Sequence, residues 1–141
     1  MQFVLLGVIF ISSYRIHQDN ISSSTLQYAG LFLIVLGLAI AVIAVLTYKQ
    51  MVTPNPYPLE NITLRTSGIY GFIRHPMYLG VFILIVGWCL LFLSYYSFVF
   101  PVITLIFLSI KMNFEEKHLA EKFPEYKSYQ KTTSKLFPYI Y

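Results

Sequence analysis

The chain is poor in charge and almost free of cysteine. Only 11% of its 141 residues are charged, whereas soluble domains average about 25%, so a water-covered surface is excluded. The single cysteine, Cys89, rules out an intrachain disulfide, and no Cys/His spacing indicates zinc, so we expect no metal site. Cys89 itself stands in an apolar run and is interpreted as a packing residue.

What the chain does contain is long apolar blocks, which indicate one integral membrane domain over residues 1–141. Tyr28 to Tyr48 carries no charge and has a tyrosine at each end. It has the roughly 20 residues that a bilayer core requires, and its tyrosines are typical of interfacial belts. Met1 to Tyr14 is apolar but short, so it either spans only with help or forms a partial first helix. A signal peptide is the alternative, disfavoured because no basic region precedes the apolar stretch.

The third block, Met77 to Ile110, predicts a helical hairpin. As a single helix it would be about 50 Å long, more than a bilayer can hold even when the helix tilts. The polar run from Ser94 to Ser97, followed by Pro101, supplies a place to turn. The predicted fold is therefore all-α: a polytopic membrane bundle of about four transmembrane helices, the last two forming a tight hairpin.

The basic residues predict an orientation. Nine of the ten lysines and arginines fall in the loop over residues 49–76 or in the tail over residues 111–141. The positive-inside rule puts both pieces in the cytoplasm, and four crossings put the N-terminus there too. We expect the net charge of +4 to favour membrane lipids rather than nucleic acid. The small size favours a prokaryotic inner membrane.

The most informative stretch is Thr66 to Tyr78, the last polar residues before the third block. It combines a predicted turn at Gly68 with Arg74 and His75. Pro76 suits the first turn of a helix, where its missing N–H costs nothing. His75 would then stand near the N-cap, where unpaired N–H groups attract a carboxylate or a phosphate. Polar groups at this membrane boundary predict a functional site.

Several motifs, in order along the chain, resemble the isoprenylcysteine carboxyl methyltransferase family, and phospholipid methyltransferases share much of the pattern. The motifs are Gly68-x-Tyr70, Arg74-His75-Pro76-x-Tyr78-x-Gly80, Glu115-Glu116-x-x-Leu119, Phe123-x-Glu125-Tyr126-x-x-Tyr129 and Pro138. Each is weak alone, but the ordered set across a hairpin is specific. The resemblance covers roughly residues 50 to 141.

The resemblance implies a bundle that binds S-adenosylmethionine at its cytoplasmic face and admits a lipophilic or lipidated substrate sideways between helices. Residues 1–48 would be N-terminal membrane helices, and residues 49–141 the catalytic core, with a helical tail closing the cofactor site. The positions that match the family's cofactor contacts are Ile62, Thr63, Leu64, Arg65, Tyr70, His75, Pro76, Met77, Tyr78 and Glu115. No Gly-rich strand–turn–helix is present, so the soluble methyltransferase fold is not expected.

The expected catalytic residues are Lys111, Glu115 and Arg74. The family usually has arginine at the substrate-contacting position occupied here by Lys111. Lysine keeps the charge but loses the planar, two-pronged grip on a carboxylate. The acceptor, such as a prenylcysteine-type carboxylate, therefore stays open between carboxylate, amine and thiol. An amine would have to lose a proton, for which Glu115 or Glu116 is the candidate acceptor.

Simpler interpretations and other functions remain open. Arg74 could be a juxtamembrane anchor, the two glutamates could pair with lysines on a solvated helix face, and Tyr126 and Tyr129 could be packing residues. The chain could instead be a sterol-reductase-like enzyme that uses NAD(P)H, although more basic residues would be expected for the phosphates. It could also be a non-catalytic membrane subunit. A cofactor-binding measurement distinguishes the three functions.

Overall fold

The computed structural model describes residues 24–48, 64–92 and 98–138. These ranges contain four α-helices: α1 (Ser24–Tyr48), α2 (Pro76–Phe92), α3 (Val99–Lys122) and α4 (Tyr126–Thr132). A 3-10 turn, Gly68–Gly71, precedes α2. Within this part of the chain, the one β element is an isolated parallel bridge between Ile73 and Ser134. The predicted all-α fold is confirmed there, whereas the partial helix over residues 1–14 and the turn over residues 94–97 lie outside the described residues.

Helix α1 has the length and composition of a membrane span. It is 25 residues long, and only 17% of its most apolar stretch is buried within the protein. Large side chains such as Phe32 and Leu46 are about two-thirds exposed, as lipid-facing residues would be. Among the described helices it alone is both long enough and apolar enough for a span, because α2 has 17 residues and α3, although 24 residues long, becomes polar after Ile110. The number of crossings therefore stays a prediction.

Helices α1 and α2 pack antiparallel along a line of glycines, which we call the glycine seam (Gly30, Gly37, Gly80 and Gly87). A Cβ atom added at Gly37 would lie 2.6 Å from the carbonyl oxygen of Gly80, and one added at Gly80 would lie 2.7 Å from that of Gly37. The pair Gly30 and Gly87 makes the same approach. Side chains are absent at these crossings so that the backbones can touch, which is the usual way membrane helices gain packing energy. The glycine seam therefore makes α1 part of the packed fold.

The third apolar block divides into α2 and α3, which confirms the predicted hairpin. Leu79 of α2 and Leu108 and Met112 of α3 share one buried cluster. Helix α3 continues for twelve residues beyond Ile110 and ends at Lys122. Phe123, which follows, is extended (φ −120°, ψ 108°), because a residue before proline is disfavoured in the α conformation.

The chain then returns to the start of α2. After α4, residues 133–138, which we call the C-terminal strap, run beside residues 72–75. The backbone N–H of Arg74 donates to Ser134 O at 2.9 Å, and that of His75 donates to Lys135 O at 3.1 Å. Leu136 is fully buried in the hairpin cluster. The strap therefore holds the Arg-His-Pro motif against the polar end of the hairpin.

Candidate active site

The start of α2 fixes the position of the motif. Pro76 is the first residue of the helix, as predicted. The carbonyl of His75 accepts hydrogen bonds from the N–H groups of Tyr78 and Leu79, both at 3.1 Å. His75 thus occupies the predicted position just before the helix, with its ring buried. Gly68, at φ +66°, makes the predicted turn upstream, in the left-handed region that favours glycine.

Glu116 is the centre of a buried polar network. Arg74 Nε donates to Glu116 Oε1 at 2.8 Å, and His75 Nε2 lies 3.2 Å from the same oxygen. On the other side, Gln130 Nε2 donates to Glu116 Oε2 at 3.1 Å, and Lys135 Nζ lies 3.6 Å from it. Glu116 is 8% exposed. Both of its oxygens are therefore committed to groups of the protein itself.

The charge state of Glu116 follows from these contacts. Burial raises its pKa, but the hydrogen bonds from His75 and Arg74 and their charges outweigh burial and lower the pKa to about 2. At neutral pH the carboxylate is ionised and can only accept hydrogen bonds. The proton in the contact with His75 must therefore sit on Nε2, which fixes how that ring is held.

Arg74 also ties the tail to the hairpin. Its Nη1 donates to the carbonyl of Gln130 at 3.0 Å and to that of Thr133. Its side chain is only 10% exposed. The structure therefore places the guanidinium inside the protein, with Nε and Nη1 bonded to α3 and to the residues around the end of α4, rather than at a lipid surface.

A second group, which we call the Glu115 cluster, consists of His75, Tyr78, Lys111 and Glu115. Tyr78 donates its hydroxyl to Glu115 Oε1 at 2.5 Å, and Lys111 Nζ lies 3.8 Å from that oxygen. His75 Nδ1 lies 3.8 Å from Glu115 Oε2. The Lys111 ammonium stands 5.2 Å from the centre of the Tyr78 ring, within the range of a cation–π contact. Four predicted site residues thus meet on one surface.

The cluster is partly open. The side chains of Lys111 and Glu115 are each 22% exposed, against 11% for the side chain of Glu116. The rings of His75 and Tyr78 are stacked 5.5 Å apart with an interplanar angle of 10°. A polar ligand can therefore reach the Glu115 carboxylate and the Lys111 ammonium, whereas the stacked rings beside them are buried.

Tyr70 belongs to the supporting structure around this surface. Its carbonyl accepts a hydrogen bond from the Tyr129 hydroxyl at 2.5 Å, and its ring lies 5.7 Å from that of Tyr48. Burial, followed by the neighbouring Tyr48 and Tyr129, raises the pKa of Tyr70 to about 12, so its hydroxyl stays protonated. Tyr126 and Tyr129 are both buried, in agreement with the packing interpretation.

The remaining predicted contacts are dispersed. Pro76 is buried, Met77 and Leu64 are half-buried, and Arg65 is exposed in the stretch before the turn. Ile62 and Thr63 lie outside the described residues. A shallow cavity of about 430 Å³ opens beside the strap, and Arg74 is the one predicted site residue in its lining. The cavity therefore does not coincide with the Glu115 cluster. We regard the cluster as the better candidate for the active site because four predicted site residues converge there.

Sequence reasoning missed the residues that the tail contributes. Gln130 and Lys135 both contact Glu116, and Lys135 Nζ also donates to Asn113 Oδ1. Lys135 looked like one more basic tail residue. The one available signal was its place directly before Leu136-Phe137, an apolar pair that would have to be buried at the end of a polar tail.

At the polar end of the hairpin, the Arg-His-Pro motif thus meets two adjacent glutamates of α3. The chain belongs to the phospholipid methyltransferase family, whose model matches residues 26–126. This confirms the resemblance inferred from the motifs. Members of this family are integral membrane proteins that take their methyl group from S-adenosylmethionine.

Two known proteins illustrate the relationship. The chain is 36% identical over 77 residues to a methanethiol S-methyltransferase of Pseudomonas deceptionensis, a match covering 54% of this chain and 29% of the relative. The fold superposes on that of the eukaryotic intramembrane Ras methyltransferase, isoprenylcysteine carboxyl methyltransferase, with a TM-score of 0.85 and 21% identity, over 96% of this chain and 52% of that one. The chain thus spans about half or less of each protein, and the second match defines the fold alone.

Proposed function

We propose that this protein is a membrane methyltransferase that binds S-adenosylmethionine at the Glu115 cluster and methylates an anionic acceptor at the cytoplasmic surface. The observation that carries the proposal is the half-open carboxylate of Glu115, held by Tyr78 and bordered by Lys111 in a chain of a methyltransferase family. The number of crossings and the cytoplasmic orientation belong to the same proposal.

The residues present fit the cofactor. Its sulfonium carries a methyl group that a nucleophile can displace in line, so the protein's task is positioning and exclusion of water. Glu115 suits an amine or ribose hydroxyls, since its side chain is partly exposed and, in the part of the chain that the structure describes, Oε2 has His75 Nδ1 as its neighbour at 3.8 Å. The rings of His75 and Tyr78 are buried and stacked on each other, so in this proposal they support Glu115 and Lys111 from within the protein. Glu116 does not suit a ligand, because the protein itself occupies both of its oxygens.

The other predicted residues take supporting roles in this proposal. Tyr70, Pro76 and Met77 shape the wall beside the cluster, and Leu64 and Arg65 lead into the turn before it. Arg74 acts as a positioning residue: it orients Glu116 and fixes the tail with the same guanidinium. Its deletion would therefore impair the site without removing a ligand contact.

The positive charge of Lys111 affects which methyl acceptor the site favours. An ammonium held 5.2 Å from the Tyr78 ring attracts an anionic nucleophile and repels a protonated amine. A carboxylate, such as that of a prenylcysteine, and a thiolate both meet this condition. The relative that acts on methanethiol favours the thiolate, whereas a phospholipid amine would first have to give a proton to Glu115. We therefore rank anionic acceptors above amines.

Calorimetric titration of the detergent-purified protein with S-adenosylmethionine tests the cofactor site. We expect a Kd between about 1 µM and 1 mM, the usual range for enzyme ligands, and at least tenfold weaker binding by Glu115→Gln. Glu121→Gln, an exposed position on the same helix, is the matched control and should bind within twofold of wild type. Folded wild-type protein that binds no S-adenosylmethionine would refute the proposal.

The same preparation distinguishes the alternatives. A reductase would bind NADPH in preference, and a non-catalytic subunit would bind neither ligand. With labelled S-adenosylmethionine, a small thiol, a prenylcysteine carboxylate and a phospholipid amine can be compared as acceptors. Faster labelling of the amine than of both anionic acceptors would contradict the role assigned to Lys111.

A further inference from the structure

Lys135 is buried in a way that is unusual for a lysine. It is 9% exposed, and its Nζ donates to Asn113 Oδ1 and lies 3.6 Å from Glu116 Oε2. A buried ammonium without compensating contacts is strongly unfavourable. Both partners belong to α3, so the side chain ties the C-terminal strap to the helix that carries the two glutamates.

The backbone of the same residue holds the other half of the motif. The carbonyl of Lys135 accepts the N–H of His75 at 3.1 Å. The next residue, Leu136, is fully buried, which fixes the register of the strap against residues 72–75. Lys135 thus contacts His75 through its backbone and Glu116 through its side chain.

From this double contact we infer that Lys135 is a positioning residue of the site, an inference that rests on the proposed function. Lys135 and Gln130 hold Glu116 Oε2, which leaves Oε1 directed at Arg74 and at His75 Nε2. Without the Lys135 ammonium, the Glu116 carboxylate can rotate towards Arg74, and its contact with His75 Nε2 becomes weaker. The His75 ring then loses its fixed place between Glu116 and Glu115.

The test compares Lys135→Met, which keeps an apolar stem but removes the charge, with Lys131→Met, an exposed lysine of the same tail. Lys135→Arg is the rescue variant because it restores the charge. The first readout is the pair of imidazole nitrogen resonances of His75 in the ligand-free protein, assigned by their loss in His75→Gln. The second is the Kd for S-adenosylmethionine.

We expect Lys135→Met to shift the His75 resonances and to raise the Kd about tenfold, Lys131→Met to change neither, and Lys135→Arg to recover at least half of both effects. Unchanged His75 resonances in folded Lys135→Met protein would overturn the inference, even if wild type binds no S-adenosylmethionine and the proposed function has failed. Shifted resonances with an unchanged Kd would overturn it as well, because the ring would then be displaced without consequence for the site.

Discussion

Acid stability offers the sharpest test of the network around Glu116. Its carboxylate has a pKa of about 2 in the folded protein, against an ordinary value of 4.5. Between these two values the unfolded chain binds a proton at this position that the folded chain does not. The ionised contacts therefore stabilise the folded state fully above about pH 5, and this stabilisation is lost as the pH falls towards 2.

The size of the effect follows from the same values. A pKa shift of one unit corresponds to about 1.4 kcal/mol. The lowering of the Glu116 pKa therefore corresponds to about 3 kcal/mol of unfolding free energy. Substitution by glutamine removes the charge but keeps an amide in the same place. We expect Glu116→Gln to lose about 2–3 kcal/mol at pH 7, because Arg74 and Lys135 then remain buried without their carboxylate.

The assay is unfolding in mild detergent at a series of pH values between 2.5 and 7, for wild type and Glu116→Gln. The difference in unfolding free energy between the two should be largest above pH 5 and should shrink steadily below it. Other carboxylates titrate in both proteins and cancel in the difference. A difference that stays constant over the whole range would refute the assignment of Glu116 as the ionised centre.

Two further predictions concern packing and the tyrosines. Gly37→Leu should separate α1 from α2, because the new Cβ would lie 2.6 Å from the backbone of Gly80, and we expect it to destabilise the protein by 3 kcal/mol or more, beyond the roughly 1–3 kcal/mol of ordinary overpacking. Val42→Leu, at an exposed position of α1, is the control and should be neutral in the same denaturation series. Equal stability of the two variants would contradict the packing assigned to the glycine seam. Tyr129→Phe should lower the free energy of unfolding by about 1 kcal/mol, because it removes the hydrogen bond of the Tyr129 hydroxyl. Tyr126→Phe should be neutral or stabilising, since the buried hydroxyl of Tyr126 has no partner among the described residues. Thermal melts that rank the two variants in the opposite order would contradict this account.

The sequence predicted the parts of the fold that depend on local patterns. Apolar block length predicted α1 and the hairpin, and the proline at residue 76 predicted the start of α2, because both signals act within a few residues. The family resemblance implied that Lys111, Glu115, His75 and Tyr78 belong to one site. These four residues do meet, since α2 and α3 are antiparallel partners whose polar ends coincide.

The contribution of the strap could not be predicted in the same way. Lys135 and Gln130 reach Glu116 because Leu136 is buried in the hairpin and because the strap pairs in parallel with residues 72–75. Both conditions depend on contacts across about 60 residues, which leave no periodic signal. For the same reason, Glu116 looked equivalent to Glu115 in the sequence, although the structure buries one and leaves the other half-open.

The different roles of the two glutamates follow from helix geometry. Consecutive helical residues point about 100° apart, so Glu115 and Glu116 point to different sides of α3. One turns to Tyr78 and Lys111, and the other turns to Arg74 and the strap. His75 lies between them, with Nε2 at 3.2 Å from Glu116 and Nδ1 at 3.8 Å from Glu115. The adjacent pair therefore consists of one partly exposed carboxylate, which we propose as the ligand contact, and one buried carboxylate that holds the His75 ring beside it.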